Sequence, residues 1–373
     1  MTPEVPREPR VALISIGIGR VQRGFERYFR DLFDILRPNA PIVLYKSAGE
    51  ASAVERVPAR LRSATTAMRK APFGRFAGRT EYHRDCIAFG LCLLPELRRE
   101  RFDVIHCIDP PLATVLARLR PLARFSGRLL FTEGSVMPPV MYPRVDHIHH
   151  VGAAAFENGL AHGVHDSHMT LLPCGVHSGR FVPPASRETL RQRHDVAPGT
   201  FVVLAISAVK RDHKRIDHLI EEVARMQGDV LLWLDGNPED PVVLEHARRR
   251  LGSRCRVTHV PTSRVPELYG VADVLVHAAL EESFGLAIVE AMCAGLPVLV
   301  HDNAHFRWLT GDAGCVVPMD SPGALSDRLE AMRRSPPAFG ADRARAIRER
   351  FDWRVLGPKY LDMYRRLSGH APG

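Results

Sequence analysis

Residues 281–302 read EESFGLAIVEAMCAGLPVLVHD. Two glutamates eight positions apart, Glu282 and Glu290, bracket Ser283-Phe284-Gly285-Leu286, and a strand-like Val298-Leu299-Val300 follows Gly295-Leu296-Pro297. Ser283 has the chemistry of a helix N-cap. Leu286, Ile288, Val289 and Met292 then fall at helical spacing until Gly295 ends the run. The first turn of such a helix presents unpaired N–H groups and a positive dipole end, a setting for a phosphate or an anionic leaving group. Glu282 is expected at that turn and Glu290 two turns on, roughly 12 Å away along the axis. That excludes a glycosidase pair, whose carboxyls stand about 5–5.5 Å apart when retaining and about 6.5–9.5 Å when inverting. The spacing suits the two ends of one elongated ligand with hydroxyls at each end and an anion between them, such as a nucleoside diphosphate sugar. A solvated carboxylate pair on an amphipathic helix is the plain alternative. The Phe-Gly-Leu and Gly-Leu-Pro punctuation favours the ligand.

The same segment resembles the signature of family 4 of the retaining glycosyltransferases. The match falls at Glu282, Phe284, Gly285, Leu286, Glu290, Ala291, Met292, Gly295, Pro297 and Val298. The resemblance implies that Glu282 binds a donor-sugar hydroxyl, that Ser283-Phe284-Gly285-Leu286 brings backbone close to sugar and phosphate, and that Glu290 binds the ribose. It implies an α/β protein of GT-B fold: two Rossmann-like doubly wound domains facing a central cleft, with a C-terminal helix crossing back to the N-terminal domain.

Bulk properties agree with a globular enzyme of that size. The chain has 373 residues, 45% hydrophobic and 25% charged, long enough for two cores. No run of eighteen apolar residues predicts a spanning helix, and MTPEVPREPR at the start reads as a short disordered tail. Seven scattered cysteines with no Cys-x-x-Cys pair suit a reducing cytoplasm. Of the net charge of +9, residues 1–185 carry +8. The densest basic stretch runs from Arg56 to Arg84 and includes Arg60, Arg62, Arg69, Lys70, Arg75 and Arg79. A solvated surface explains it simply; an anionic acceptor or peripheral contact with a membrane surface is the sharper reading. Nucleic acid is disfavoured, because no aromatic interleaving or binding module accompanies the charge.

Short β-branched runs alternate with helical segments, as in parallel sheets covered by helices. Strands are expected at 11–16, 41–46, 104–108, 128–132, 147–151 and 170–172, then at 201–206, 230–234, 256–260, 274–278, 298–301 and 315–317. The organisation repeats twice around Phe181-Val182-Pro183-Pro184, which predicts domains at 1–182 and 183–352 with ligands at the carboxyl ends of strands. The first would hold the acceptor and the second the nucleotide sugar. A last amphipathic stretch within 353–373 carries Leu356, Tyr360, Leu361, Tyr364 and Leu367 at helical spacing. By the resemblance it packs on the N-terminal domain.

Other constellations fill in the candidate site. Gly17-Ile18-Gly19 to Gly24-Phe25-Glu26 follows a strand and opens a helix, but the third glycine comes too late for a dinucleotide fingerprint. The resemblance implies that Gly24 brings backbone to the donor phosphate. Lys210-Arg211-Asp212-His213-Lys214 follows the strand 201–206, where cations could neutralise a departing diphosphate. Lys214 matches the family's lysine; the family's arginine falls on Val209, leaving Lys210 or Arg211 as the second cation. Where the family carries a functional histidine this chain has Ile108, so either His106 or Asp109 takes that role or the role is absent. Glu133 stands in place of the family's His-Gly pair as a candidate acceptor-side base. Backbone near Val260–Thr262 is expected to meet the nucleotide base. His162, His165 and His168 lack zinc-site spacing, and no Asp-x-Asp offers a bridging-cation site, so no metal and no cofactor is expected.

The reading is therefore a cytoplasmic, metal-independent retaining glycosyltransferase, with retention implied by the resemblance alone. Its donor is a nucleoside diphosphate sugar and its acceptor a small molecule, glycan or lipid-linked group. Two alternatives stay open: an epimerase or hydrolase on the same fold, and a non-catalytic nucleotide-sugar-binding partner.

Overall fold

The computed structural model describes residues 7–21, 23–70, 80–134, 136–311, 315–336 and 341–369. The expected N-terminal tail, and Arg75 and Arg79 of the basic stretch, lie outside the described residues. The chain forms two compact units, Met1–Gly175 with Trp353–Gly373, and Val176–Asp352.

The first unit is built on a seven-stranded parallel sheet. Its strands are β1 (Val11–Ser15), β2 (Ile42–Lys46), β3 (Glu55–Arg56), β4 (Val104–Cys107), β5 (Arg128–Glu133), β6 (His147–His150) and β7 (Met169–Leu171), in the order β3-β2-β1-β4-β5-β6-β7. The second unit carries β8 (Phe201–Ile206), β9 (Val230–Asp235), β10 (Cys255–Thr258), β11 (Val274–His277), β12 (Val298–His301) and β13 (Val316–Val317), in the order β10-β9-β8-β11-β12-β13. Every pairing is parallel, with Val11 opposite both Ile42 and Val104, and Val203 opposite both Leu232 and Val274. Val11–Ser15 and Ile42–Lys46 are buried along their whole length, as strands covered on both faces by crossover helices must be. In both sheets the strand order reverses beside the first strand, between β1 and β4 and between β8 and β11. Those switch points bring together, at the carboxyl edge of each sheet, the loops after β1 and β4 and the loops after β8 and β11.

The strand ends depart from expectation for reasons visible in their hydrogen bonds. Ile16 leaves β1 because its N–H donates to the Asp109 carboxylate at 2.9 Å. Val260 lies beyond β10, its N–H given to Asp235 Oδ1 at 3.0 Å. The two-residue β3 was not expected; Glu55 there takes two bonds from Arg30 and one from Lys46.

The boundary expected after Val182 falls instead at Gly175. Val176 N–H donates to Phe351 O at 2.8 Å, Ser178 binds Asp352, and the Phe181 ring packs on Tyr269. Residues 176–182 thus belong to the second unit, and the proline pair Pro183-Pro184 is not the crossing. The chain returns at helix Trp353–Ser368, which packs on helix Gly24–Leu36. Trp353 stacks on Tyr28 with centroids 6.1 Å apart, the Tyr28 and Tyr360 hydroxyls meet at 3.0 Å, and Arg365 forks onto Glu8. The indole leaves no room at Gly175, where an added Cβ would lie 2.2 Å from the ring. Gly175→Ala should therefore destabilise the first unit by about 1–3 kcal/mol, since a packed core cannot take an extra methyl without shifting. Denaturant unfolding checks this, and an unchanged midpoint would show that Trp353 can move.

Candidate functional site

The switch point of the second sheet collects the most concentrated charge among the candidates. The loop after β8 turns twice through left-handed backbone, at His213 (φ 64°) and Arg215 (φ 51°). Arg215 is pinned to Met319 O at 2.9 Å. Between those turns Lys214 reaches the loop after β11, where its Nζ lies 2.5 Å from Glu282 Oε2. The same oxygen has His277 Nε2 at 3.2 Å and His213 Nε2 at 3.9 Å. Oε1 faces its own chain, accepting from Ser283 N–H at 3.2 Å. Burial pushes the Glu282 carboxyl up, but the neighbouring His277 ring and Lys214 ammonium outweigh it and hold the group well below the usual carboxylate range.

The loop that carries Glu282 is fixed from behind. Leu280 O accepts from Asn303 Nδ2 at 2.8 Å, Phe284 O is 3.1 Å from His305 Nε2, and the buried Phe284 ring meets Phe351 edge-on. Ser283 is not the N-cap. The helix runs Leu286–Cys293, and left-handed Gly285 (φ 96°) precedes it with no side-chain cap. Glu282 accordingly lies four residues ahead of the helix, so the separation expected along one continuous helix does not describe the pair. Glu290 does sit on that helix. It is 2% exposed, and its carboxylate accepts the Tyr269 hydroxyl at 3.1 Å.

Lys210 and Arg211 point elsewhere. Lys210 Nζ pairs with Glu239 at 3.1 Å and Arg211 with Asp240 at 3.7 Å, both residues lying in the segment between β9 and the helix Pro241–Leu251. Val209 is buried, its N–H bonded to Asn237 O. Val260 and Thr262 follow β10, and Val260 has already spent its N–H on Asp235.

In the first unit the expectation for His106 is corrected, and Glu133 is found buried. His106 is fully buried on β4, and both ring nitrogens are engaged, Nδ1 with Tyr364 OH at 2.8 Å and Nε2 with Thr132 Oγ1 at 2.5 Å. Thr132 Oγ1 in turn meets His149 Nδ1 at 2.8 Å, and His149 Nε2 reaches Leu172 O at 2.7 Å. Leu172 O can only accept, and this orders the chain: Tyr364 O–H donates to His106, His106 to Thr132, Thr132 to His149, and His149 to Leu172. Burial holds both rings neutral, that of His149 pushed down to about 3. No nitrogen of His106 is left to act on a ligand. Glu133 is 1% exposed at the end of β5 and accepts Met137 N–H at 3.0 Å, which ties down the following loop. Asp109 is also buried, bound by Ile16 N–H and by Tyr82 O–H at 2.6 Å, and burial pushes its carboxyl up to about 6. Gly24 is the exposed first residue of its helix.

His277, His213 and His305 escaped the sequence reading. The available signal was position: His277 ends β11 five residues before Glu282, and His213 is next to Lys214. Among the described residues no group of three His, Cys, Asp or Glu is arranged to hold a metal ion, and no helix is long and apolar enough to cross a membrane.

Residues 200–334 match the model of the family described as glycosyl transferases group 1. The lipopolysaccharide glucosyltransferase WaaG of Escherichia coli K12 is 29% identical over 174 residues, 44% of this chain and 46% of that protein. A D-inositol 3-phosphate glycosyltransferase of Xylanimonas cellulosilytica is 30% identical over 223 residues, 54% and 52% of the two chains. The chain thus spans about half the length of these curated relatives. Among solved structures, sucrose-phosphate synthase of Thermosynechococcus elongatus superposes with a TM-score of 0.80 at 18% identity, covering 97% of this chain and 100% of that one. Anabaena HepE in complex with UDP-glucose gives 0.74 at 16%, covering 95% and 99%. At such identities these likenesses speak for the fold. The chain therefore has two Rossmann-like parallel sheets of the GT-B type, and residues 200–334 of its second unit are similar to the group 1 glycosyltransferases.

Proposed function

We propose that the chain is a retaining, metal-independent glycosyltransferase that moves a sugar from a nucleoside diphosphate sugar to an acceptor nucleophile. The observation that carries this reading is the Lys214–Glu282 contact at the switch point of the second sheet, inside the segment that matches the family. A partly buried lysine beside a partly buried carboxylate is a preorganised charge pair. The ammonium can meet the negative charge that develops on a departing diphosphate, and the carboxylate can accept from a sugar hydroxyl. The backbone of Ser283-Phe284-Gly285-Leu286 supplies the close approach to the sugar. Glu290, oriented by Tyr269, is assigned the ribose, and backbone around Val260 and Thr262 the base, through carbonyls rather than the committed Val260 N–H. Lys210 and Arg211 are assigned a supporting electrostatic role, each tempered by its carboxylate partner. HepE was solved with UDP-glucose, which supports a nucleotide-sugar donor here. The acceptor is assigned to the basic first unit, with a lipid-linked acceptor at a membrane face included, and the whole activity to the cytoplasm.

The test is transfer from UDP, GDP, ADP and dTDP sugars to an acceptor panel, with donor-only controls. Lys214→Ala is expected to cut kcat/KM roughly hundredfold, the scale of a lost charge-stabilising group, and Glu282→Ala by a similar factor. Full activity in both variants would remove this site. Sugar release or epimerisation without acceptor would replace transferase by hydrolase or epimerase.

A second expectation concerns acid stability. Glu282 has its folded pKa depressed, so its contribution to stability is present above the unfolded value of about 4.3 and is lost as the pH falls below it. Urea unfolding of wild type and Glu282→Gln between pH 7 and 3 should show the wild-type advantage shrinking below about pH 4.5. An advantage that grows on acidification would contradict an ionised Glu282.

A further inference from the structure

We infer that His277 is a positioning residue, one that keeps the Glu282 carboxylate aimed while Lys214 exchanges that carboxylate for the donor's diphosphate. The inference rests on the proposed function and adds to it a residue that no motif singles out.

Three basic groups converge on one oxygen, Glu282 Oε2, and they differ in how they are held. Lys214 approaches to 2.5 Å on a four-carbon stem from a loop. His213, at 3.9 Å, has its side chain half exposed on a left-handed turn. His277, at 3.2 Å, is the last residue of β11, with its side chain 8% exposed and its ring edge-on to the buried Phe306 at 5.8 Å. Only His277 among the three is fixed by a strand and a packed ring. His305 is the next basic side chain, and it is engaged with Phe284 O. Lys210 and Arg211 are paired with Glu239 and Asp240.

A donor diphosphate needs a cation, and the largely enclosed Glu282 carboxylate needs a polar partner. One ammonium cannot stay at 2.5 Å from the carboxylate and also follow the charge onto a leaving group. If Lys214 turned away with nothing else in place, a largely enclosed carboxylate would be left uncompensated, which is costly. His277 removes that conflict. Its ring stays beside Oε2 when Lys214 rotates, so the carboxylate keeps its place and charge and remains available to a sugar hydroxyl. Lys214 is then the exchanging partner and His277 the resident one.

The test compares His277→Asn, whose amide is too short to reach Oε2, with His277→Gln, whose amide nitrogen can stand where Nε2 stands. With carboxyl-13C glutamate, NMR titration of Glu282 in the full chain is expected to show its midpoint rising by about one pH unit in His277→Asn. The midpoint should return toward wild type in His277→Gln. In transfer assays His277→Asn should lower kcat roughly ten- to hundredfold, the range for losing a close polar partner of a charged group. Its affinity for the free nucleoside diphosphate should fall as well, because Lys214 can then turn to the phosphate only by leaving Glu282 without a partner, and His277→Gln should recover most of both. An unmoved Glu282 midpoint in both variants, or equal behaviour of the two, overturns the inference. So does a diphosphate affinity that His277→Asn leaves at the wild-type value. A wild-type chain that transfers from no nucleotide sugar would instead defeat the proposed function, and the titration would still decide whether His277 holds Glu282.

Discussion

Parallel pairing of all the described strands is the constraint from which the site follows. A parallel ladder cannot be closed by a tight hairpin, so each connection must cross a face of the sheet as a helix and return. Both faces are then covered, and the strands become continuous apolar runs such as residues 11–14 and 230–234. Function is driven to the strand ends. In the order β10-β9-β8-β11-β12-β13, β8 and β11 are neighbours whose outgoing chains leave in opposite directions. The loop bearing Lys214 and the loop bearing Glu282 meet there, although the residues are 68 positions apart in sequence.

Electrostatics gives that meeting its chemistry. Burial by itself raises the pKa of the Glu282 carboxyl. Lys214 and His277 reverse the balance, so the group is both desolvated and charged. Such a carboxylate interacts strongly with any hydroxyl that enters, because little water competes. The same enclosure explains the two left-handed residues flanking Lys214: His213 and Arg215 accept an uncommon backbone geometry that turns the lysine inward.

How much of this was legible in the sequence depended on the range of the interaction. Strand and helix positions are local, and the period of apolar residues located them to within a residue or two. Phe201–Ile206 and Val298–His301 stand where the pattern put them. The Glu282–Glu290 signature and Lys214 were legible because residue type and spacing carry them. Ser283 misled because a good capping side chain was read without the tertiary packing of Phe284 on Phe351, which draws the chain out for two more residues before the helix begins. Lys210 and Arg211 looked like free cations because Glu239 and Asp240 lie far along the chain. His277 left no periodic trace at all. A histidine ending a strand has the same appearance whether it faces a core or a carboxylate.

His106 shows the converse error and its physical origin. A histidine near a strand's carboxyl end invites a catalytic reading, yet here the relevant partners are Thr132, 26 residues away, and Tyr364, 258 residues away on the returning helix. Leu172 O, having no hydrogen to give, fixes the direction of the bond chain through His149 and Thr132 to Tyr364. Every donor and acceptor in the row is then satisfied without any ring carrying charge. A buried polar network that closes in this way costs little, whereas a protonated or half-satisfied ring in the same place would be strongly unfavourable. The network also ties helix Trp353–Ser368 to β4, β5 and β6 through directional bonds, which apolar packing alone would leave free to slide. The two histidines of comparable burial, His106 and His277, therefore differ in what they face: one ends in a carbonyl that only accepts, the other in a carboxylate that carries charge.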